Sequence, residues 1–277
     1  MKILEKKLYW SICVGAIIFG GILLGIGVSL GGATSFSIGS NGLQFYSMFS
    51  NHPIGNFDLQ FATIEEKVTA IQLESGLGDV IFTSGDTLTI SYYGDVSYKI
   101  NNNTLEVESS WNKLNSFGIR MTNSDVGFIE ITVPQYVNSI EIDSSGRITL
   151  SDLNLSEIDI EASLGDILME KITASQVELN ANLGNVTLNS CVFDDISAEL
   201  NMGAFTSKNL DILTSGTLVN RMGAMEIDLV QEESAYLFTT NMEMGVLSIN
   251  GGNRITSNGD ISIFVETSMG SVNITTN

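Results

Sequence analysis

The chain has 277 residues, with 12 basic and 32 acidic side chains and a formal net charge of −20. This charge argues against nucleic-acid binding, which depends on basic patches, and against simple electrostatic adhesion to an anionic surface. One histidine and two cysteines leave few candidates for a catalytic triad or a metal site.

The first residues of the chain predict a membrane anchor. Lys2, Lys6 and Lys7 precede an uncharged run that is long enough to cross a hydrocarbon core as a helix. The lysines mark the cytoplasmic side. We therefore expect four segments: a cytoplasmic N-terminus (1–7), a transmembrane helix (8–30), a linker (31–56) and an extracellular domain (57–277).

Two questions about this anchor stay open. The small residues Gly31, Gly32 and Ala33 would also suit cleavage of a signal peptide, although the apolar run is long for a signal. Gly21 and Gly25 have the GxxxG spacing that lets membrane helices approach closely. Glycine is common in such helices, so this spacing leaves the oligomeric state unknown.

The part of the domain between Gly78 and Gly146 is less regular than the rest. Residues 96–107 alternate on both sides of an Asn-Asn-Asn turn and predict a β-hairpin. Residues 128–133 alternate as a strand that ends at Pro134, which cannot continue a ladder. We expect this part to form an irregular N-terminal cap.

A repeat with a central glycine fills the remainder of the chain. Its period is nineteen residues from Gly146 to Gly203 and longer afterwards, which is typical of stacked repeats. Apolar residues alternate before and after each glycine, so each repeat predicts two strands and a corner between them. The fold class is therefore an all-β solenoid, with two short strands in each coil of about nineteen residues. The predicted corner glycines are Gly78, Gly146, Gly165, Gly184, Gly203, Gly223, Gly245 and Gly270.

Three expectations concern side chains near these corners. Glycine is expected because a tight corner needs a positive φ. The Leu or Met before each glycine is expected inside the core, as is Cys191, which shares a column with Ile172. In residues 140–144 the alternation is off by one relative to Gly146, which predicts a β-bulge. The Leu/Met column comprises Leu164, Leu183, Met202, Met222, Met244 and Met269.

No cofactor is predicted. A phosphate-binding loop would need a lysine after the glycines and a following helix, and the GGxGxDxUx calcium repeat is absent. Acidic residues at 159, 161, 178 and 199 predict a ladder along one face. Glu161 and Glu199 are weak candidates for counterion binding, with Asn180 between them, and no metal site is otherwise predicted.

The prediction for catalysis is negative. Polysaccharide lyases with a β-helix need acidic calcium ligands with a basic residue nearby. Basic residues are few in this domain (Arg147, Lys171, Lys208, Arg221 and Arg254), and the one histidine, His52, falls in the expected linker. A polysaccharide-active enzyme therefore stays only as an alternative.

The order of the motifs resembles a known family. The chain begins this series with a strand pair over 71–82 and a Gly-Asp-Thr-Leu-Thr-Ile stretch. A strand ending in Ile-Thr-Val-Pro at 131–134 comes next, and repeated coils with the pattern Leu-Gly-Asp/Asn-Val follow it. This arrangement is similar to the bacterial putative-adhesin family, a domain of unknown function common in surface proteins of Firmicutes. The resemblance implies a β-solenoid ectodomain in a Gram-positive cell envelope. It supplies no catalytic or ligand residues.

The sequence thus predicts a single-pass membrane protein with an adhesin-like interaction module at the cell surface. Its solenoid faces would bind an envelope protein or a glycan, because solenoids offer extended surfaces. The alternative is an accessory sensor of envelope stress whose acidic ectodomain captures cationic peptides. Since only about seven residues would lie in the cytoplasm, such a sensor would need a second membrane protein.

Overall fold

The computed structural model describes residues 33–39, 42–47 and 59–277, apart from residue 77 and the ranges 94–95, 110–126 and 253–258. The predicted transmembrane helix (8–30), Cys13 and His52 lie outside the described residues. Among the residues that are described, no helix is long and apolar enough to cross a membrane.

The chain divides into two compact units. The described part of the first unit is an antiparallel pair of strands, β1 (Ala33–Gly39) and β2 (Gly42–Ser47). These strands occupy part of the segment in which the sequence predicts a linker.

The second unit, Leu59–Asn115 and Gly127–Asn277, is built almost entirely of strands. Its first seven strands are β3 (Gln60–Thr63), β4 (Ala70–Ser75), β5 (Gly78–Ser84), β6 (Thr89–Tyr93), β7 (Val96–Asn101), β8 (Thr104–Ser109) and β9 (Gly127–Val133). The regular coils follow as β10 (Ser139–Ser144), β11 (Ile148–Ser151), β12 (Asn154–Ala162), β13 (Ile167–Glu170), β14 (Thr173–Leu183), β15 (Val186–Asn189), β16 (Val192–Met202), β17 (Phe205–Lys208), β18 (Asp211–Met222) and β19 (Met225–Leu229). A 3-10 turn (Glu233–Ala235) then precedes β20 (Tyr236–Ile249) and β21 (Ile261–Thr276).

Each regular coil has a long strand, a glycine corner, a short strand and a second corner. Long strands pair in parallel with long strands, so that Ile158, Val177 and Ile196 are neighbours in one row. Short strands pair in the same way, as in the row Ile167, Val186 and Phe205. This all-β arrangement with long parallel ladders confirms the predicted strands and is consistent with a solenoid.

The core lies between the two ladders. In one coil Val177 and Leu179 face inward from β14, and Val186 and Leu188 face them from β15; all four are buried. Because every coil repeats this pattern, the buried side chains join into one cluster along the stack. Cys191 is fully buried, as expected, and burial raises the pKa of its thiol.

The irregular part after Gly78 also forms a coil, but out of sequence order. The predicted hairpin is confirmed as β7 and β8, and the predicted strand before Pro134 as β9. Strand β8 pairs with β4, and β9 pairs with β5, while β10 and β11 occupy the other sides of β4 and β5. The coil β8–β9 therefore stacks outside the coil β4–β5 that precedes it in the chain.

The predicted bulge around residues 140–144 is wrong. Strand β10 runs in continuous register with both neighbours, from Ser139 opposite Glu157 to Ser144 opposite Ala162. The alternation is off by one because the corner after β10 is one residue shorter than the corner after β12. Gly146 follows Ser144 by two positions, whereas Gly165 follows Ala162 by three. The Ser144 hydroxyl fills this shorter corner and accepts a hydrogen bond from the Gly146 N–H at 3.1 Å.

The order of the last two coils is also exchanged. Strand β21 pairs with β18 and β19 on one side and with β20 on the other. The C-terminal strand is thus inserted between the coil β18–β19 and β20. The C-terminal coils therefore do not stack in sequence order, and eleven residues separate β20 from β21 along the chain.

Candidate functional site: an acidic sheet face and an exposed Leu/Met column

The predicted corner glycines lie on top of one another along the stack. A Cβ added at Gly165 would lie 1.7 Å from the carbonyl oxygen of Gly146, and one at Gly184 would lie 2.2 Å from that of Gly165. Real Cβ atoms do not approach backbone atoms so closely, so only glycine fits the column. The register adds Gly127, opposite Gly78, as a member that the sequence pattern did not identify.

The expected reason for these glycines, a positive φ, holds for four of them and is wrong for Gly146, Gly165 and Gly184. Only Gly203, Gly223, Gly245 and Gly270 have φ in the left-handed region, between +148° and +157°. Gly184 does not, yet it has the same close neighbour. Contact between backbones of successive coils is therefore the requirement shared along the column.

The Leu/Met column lies outside, and the prediction that it fills the core is wrong. Its members are between 41% exposed at Leu183 and 62% exposed at Met244. Strict alternation from buried Ala181 would turn Leu183 inward. The chain instead bends as it enters the corner, and Asn182 and Leu183 both point to solvent. The column consequently forms an apolar stripe along the edge of the long-strand sheet.

A polar row separates this stripe from the rest of the sheet face. Asn201 donates a hydrogen bond to Asn182, and Arg221 donates to Asn201. Around the corner, the backbone N–H of Asn185 donates to the Asp166 carboxylate at 2.8 Å, and Ala204 donates likewise to the Asn185 side chain at 2.9 Å. These ladders tie side chains of successive coils together at the glycine corner.

The outward side chains of the long-strand sheet form a broad acidic face. Parallel register places acidic residues of neighbouring strands side by side, about 4.8 Å apart along the stack. Glu161, Asn180 and Glu199 share one row, as their spacing indicates. We call the whole set the acidic face: Glu74, Glu106, Glu108, Glu141, Asp143, Glu157, Asp159, Glu161, Glu178, Asp195 and Glu199.

Sequence reasoning found only the C-terminal part of this face. Its N-terminal part belongs to coils that the sequence marks as irregular, and their neighbours depend on the exchanged coil order. One signal was present in the chain, namely two acidic residues separated by a single position. It occurs at Glu106 and Glu108, and again at Glu141 and Asp143.

The acidic face is electrostatically unfavourable at its centre. Burial raises the pKa of Asp159, and the carboxylates of Glu178, Glu141, Glu161 and Glu157 raise it further. Amide side chains relieve part of this repulsion: Gln72 donates a hydrogen bond to Glu141 at 2.7 Å, and a second amide, that of Asn180, donates to Glu178.

Among the residues that the structure describes, basic side chains reach this face only at its ends. Lys99 pairs with Glu106 at 2.7 Å, and Arg221 lies 3.8 Å from Glu199. The strands between these two positions, β4, β8, β10, β12, β14 and β16, contain no lysine or arginine. The face therefore presents an extended, nearly unneutralised negative surface.

The other basic residues considered for catalysis are elsewhere. Lys171 pairs with Asp152 at the second corner of its coil, and Lys208 ends a short strand. Arg147 is exposed beside the corner glycine, and Arg254 lies outside the described residues. Of the four that the structure describes, only Arg221 reaches the acidic rows, where it lines a shallow depression with Glu161, Asn180 and Glu199.

The acidic face does not form a chelating site. Within the described ranges, no three acidic, histidine or cysteine side chains are grouped so that they could hold a metal ion. Its carboxylates point away from the sheet in parallel, which suits attraction of a large cationic surface better than ligation of one ion.

Comparison with known proteins identifies the family of the chain. The sequence profile of the Toastrack DUF4097 family matches residues 68–277. The chain belongs to this family. The resemblance to a bacterial putative-adhesin domain of unknown function is thereby confirmed. No curated protein matches the chain.

Solved structures are similar over most of the chain at low identity. A putative adhesin from Parabacteroides merdae ATCC 43184 is 11% identical, with a TM-score of 0.48 over 80% of this chain and 97% of that one. A putative adhesin from Bacteroides fragilis NCTC 9343 is 14% identical, with a TM-score of 0.41 over 78% and 97%. A protein from Parabacteroides distasonis ATCC 8503, described as a putative lipid binding protein, is 15% identical, with a TM-score of 0.45 over 79% and 98%.

Proposed function

We propose that the protein is a membrane-anchored interaction module at the cell surface and that its acidic face binds a basic partner. The observation that carries this proposal is the width of the face, which spans six strands from β8 to β16 and, among the described residues, has basic side chains only at its ends. A surface of one sign attracts and orients partners of the opposite sign.

The Leu/Met column narrows the class of partner. It runs beside the acidic face, separated from it by the row of Asn182, Asn201 and Arg221. A chain that is basic on one side and apolar on the other would contact both stripes at once. We therefore expect a cationic amphipathic segment of an envelope protein, and an anionic glycan would be repelled.

Two parts of this proposal come from the sequence. The uncharged run over residues 8–30 would anchor the protein in the cell membrane, with the second unit outside. The scarcity of basic side chains beside the carboxylates supports a binding role without catalysis.

The test uses the full chain in detergent micelles and a synthetic amphipathic peptide of lysine and leucine at helical spacing. The control peptide has glutamate in place of lysine. We expect the basic peptide to bind and its affinity to fall steeply with salt, because exposed charges are screened. The acidic peptide should not bind.

Variants locate the binding surface. Glu161→Gln, Glu178→Gln and Glu199→Gln together should weaken binding about tenfold, which corresponds to about 1.4 kcal/mol. The matched control removes the same charge elsewhere, with Glu65→Gln, Glu130→Gln and Glu226→Gln, and should change affinity little. Equal affinities of the two triple variants would show that the acidic face is not the site.

A second pair of variants tests the apolar stripe. Met202→Ser with Met222→Ser should weaken binding of the amphipathic peptide and leave unfolding nearly unchanged, because both side chains are 45% exposed. Binding of an all-lysine peptide should not respond to these substitutions. An unchanged affinity for the amphipathic peptide would remove the stripe from the proposed site.

A further inference from the structure

The sheet edges at the two ends of the stack differ in whether other strands cover them. At the N-terminal end, antiparallel strands cover both ladders: β7 covers β8 of the long-strand sheet, and β3 covers β6, which itself runs antiparallel to β9. These covering strands are short, with six and four residues, and β7 carries Lys99. Short, charged strands are a common protection of sheet edges.

The C-terminal end lacks such a cover in the part of the chain that the structure describes. Strand β20 pairs with β21 over its whole length, from Tyr236 opposite Ile261 to Ile249 opposite Ile274. No described strand lies on its other side. A fourteen-residue strand is therefore the last element of the stack.

The sequence of β20 contains almost none of the features that discourage edge pairing. It has one charged residue, Glu243, and no proline, and its register with β21 runs to Ile249. Its exposed apolar side chains include Leu237, Met244 and Val246, at 44%, 62% and 66% exposure. An edge of this kind is a ready template for another strand.

The charge of the long-strand sheet fades toward this end. The row that begins with Glu106, Gln72 and Glu141 ends with Thr217, Phe264 and Thr239. The row of Glu161 and Glu199 ends with Glu266 and then Asn241. Within the long-strand sheet, β20 thus opposes a second acidic copy of the chain less than the strands of the acidic face do.

We propose that two copies of the chain pair through β20, with the strands antiparallel about a two-fold axis. A two-fold contact brings the same surface of both copies together and requires it to be self-complementary. The nearly uncharged β20 edge fulfils this requirement, since each copy supplies the same backbone groups and apolar side chains. Since β20 has no acidic rows, we expect a basic partner to bind the acidic face and not this edge.

The test measures the mass of the full chain in detergent by light scattering coupled to size exclusion. Wild type should contain two copies. Thr239→Glu with Asn241→Glu places like charges across the proposed contact and should raise the dissociation constant at least tenfold. Thr239→Lys with Asn241→Lys should do the same, because lysines would then face lysines.

Mixing the two variants distinguishes loss of the proposed contact from general disruption of the fold. The glutamate copy and the lysine copy should form a mixed dimer, since opposite charges meet across the two-fold axis. The matched control, Thr149→Glu with Thr187→Glu, adds the same charge in the middle of the short-strand sheet and should remain dimeric. Thermal unfolding of each variant checks that the fold is kept.

Several results would overturn the proposal. A single copy of the wild-type chain at high micromolar concentration would mean that β20 is left bare or is covered by another segment or another protein. A dimer that persists in all variants would place the contact elsewhere, for example in the N-terminal segment with Gly21 and Gly25. Failure of the mixed variants to pair would show that positions 239 and 241 do not face their counterparts.

Discussion

The two corners of each coil solve different physical problems. At the glycine corner the backbones of successive coils touch, and a Cβ at Gly165 would lie 1.7 Å from the oxygen below it. At the second corner the chain adopts the left-handed conformation, with φ between 52° and 55°, yet no glycine is used there. The residues at the second corner are Asp152, Lys171, Ser190 and Asn209. Lack of space is thus common to the glycine corners, four of which also have a φ that other residues rarely adopt, whereas a left-handed φ alone does not select glycine at the second corner.

The largest expected effect tests this distinction. Gly184→Ala should destabilise the protein by about 3 kcal/mol or more, because the new Cβ meets a backbone oxygen that cannot move without shifting the neighbouring coil. The control, Gly251→Ala, introduces a side chain at φ +76° where nothing lies within 4 Å. It should cost about 1 kcal/mol from conformation alone.

Urea unfolding of the full chain gives both values. A larger loss at Gly251 than at Gly184 would show that conformation, and not contact, selects glycine in this fold.

The glycine column shows what the sequence can and cannot predict. The period of nineteen and the alternating apolar residues identify the coils, since both follow from stacking of a buried strand face. The side on which Leu183 lies does not follow. Its position relative to Ala181 predicts an inward side chain, but the alternation is lost at the end of β14, where Asn182 and Leu183 are both exposed.

Removal of a buried amide side chain at the glycine corner should cause the next largest loss of stability. Asn220 is fully buried in a column that holds Leu200 in the preceding coil. Its amide donates to the Gly203 oxygen at 3.0 Å and accepts from the Met222 N–H at 3.2 Å. Asn220→Ala should cost about 2–3 kcal/mol, because buried backbone groups lose their partners.

The same column supplies the control. Thr267 lies opposite Asn220 and is buried, and its hydroxyl has no hydrogen-bond partner within the described structure. Thr267→Val keeps the shape and removes this hydroxyl, so stability should be unchanged or slightly higher. Equal losses at positions 220 and 267 would mean that packing, and not hydrogen bonding, sets the effect at Asn220.

A substitution at the second corner is expected to stabilise the folded protein. Lys171 has a φ of 52°, a conformation that asparagine tolerates better than lysine, and Asn209 already occupies the equivalent corner two coils away. Lys171→Asn should stabilise by about 0.5–1 kcal/mol. The lost ion pair with Asp152 is exposed and contributes little.

Lys208→Asn is the matched control, since Lys208 lies in a strand and has no left-handed φ. It should give no gain in melting temperature. A similar rise for both variants would point to the change of charge and not to the corner.

The order of the coils is the part of the fold that the sequence could not supply. Every coil offers a similar apolar face, so the columns do not specify which coil is the neighbour of which. The long connections before β8–β9 and after β20 permit either order, and the exchanged order was found at both ends. The arrangement of the acidic face depends on this order, because the exchange places β4, and not β8, beside β10.

The smallest expected change in stability concerns Asp159, which lies in the long strand β12 at the centre of the acidic face. Burial and the neighbouring carboxylates raise the pKa of Asp159. Between the ordinary aspartate pKa of about 3.9 and this raised value, the folded state binds more protons than the unfolded state, so the contribution of Asp159 to stability falls as pH rises. Asp159→Asn removes the charge and should stabilise at pH 7 by about 0.5–1 kcal/mol, the scale of cross-strand charge pairs.

The gain from Asp159→Asn should disappear below about pH 3.9, where Asp159 itself is neutral. Urea unfolding at several pH values between neutral and this limit gives the difference between variant and wild type. The control, Glu226→Gln, removes a carboxylate whose register partners are the neutral Thr206 and Asn273, so it relieves no repulsion between neighbouring strands and should change stability at pH 7 little. A gain at position 159 that stays constant with pH would assign the effect to side-chain packing, and the acidic face would then lack the repulsion that makes it attractive to a basic partner.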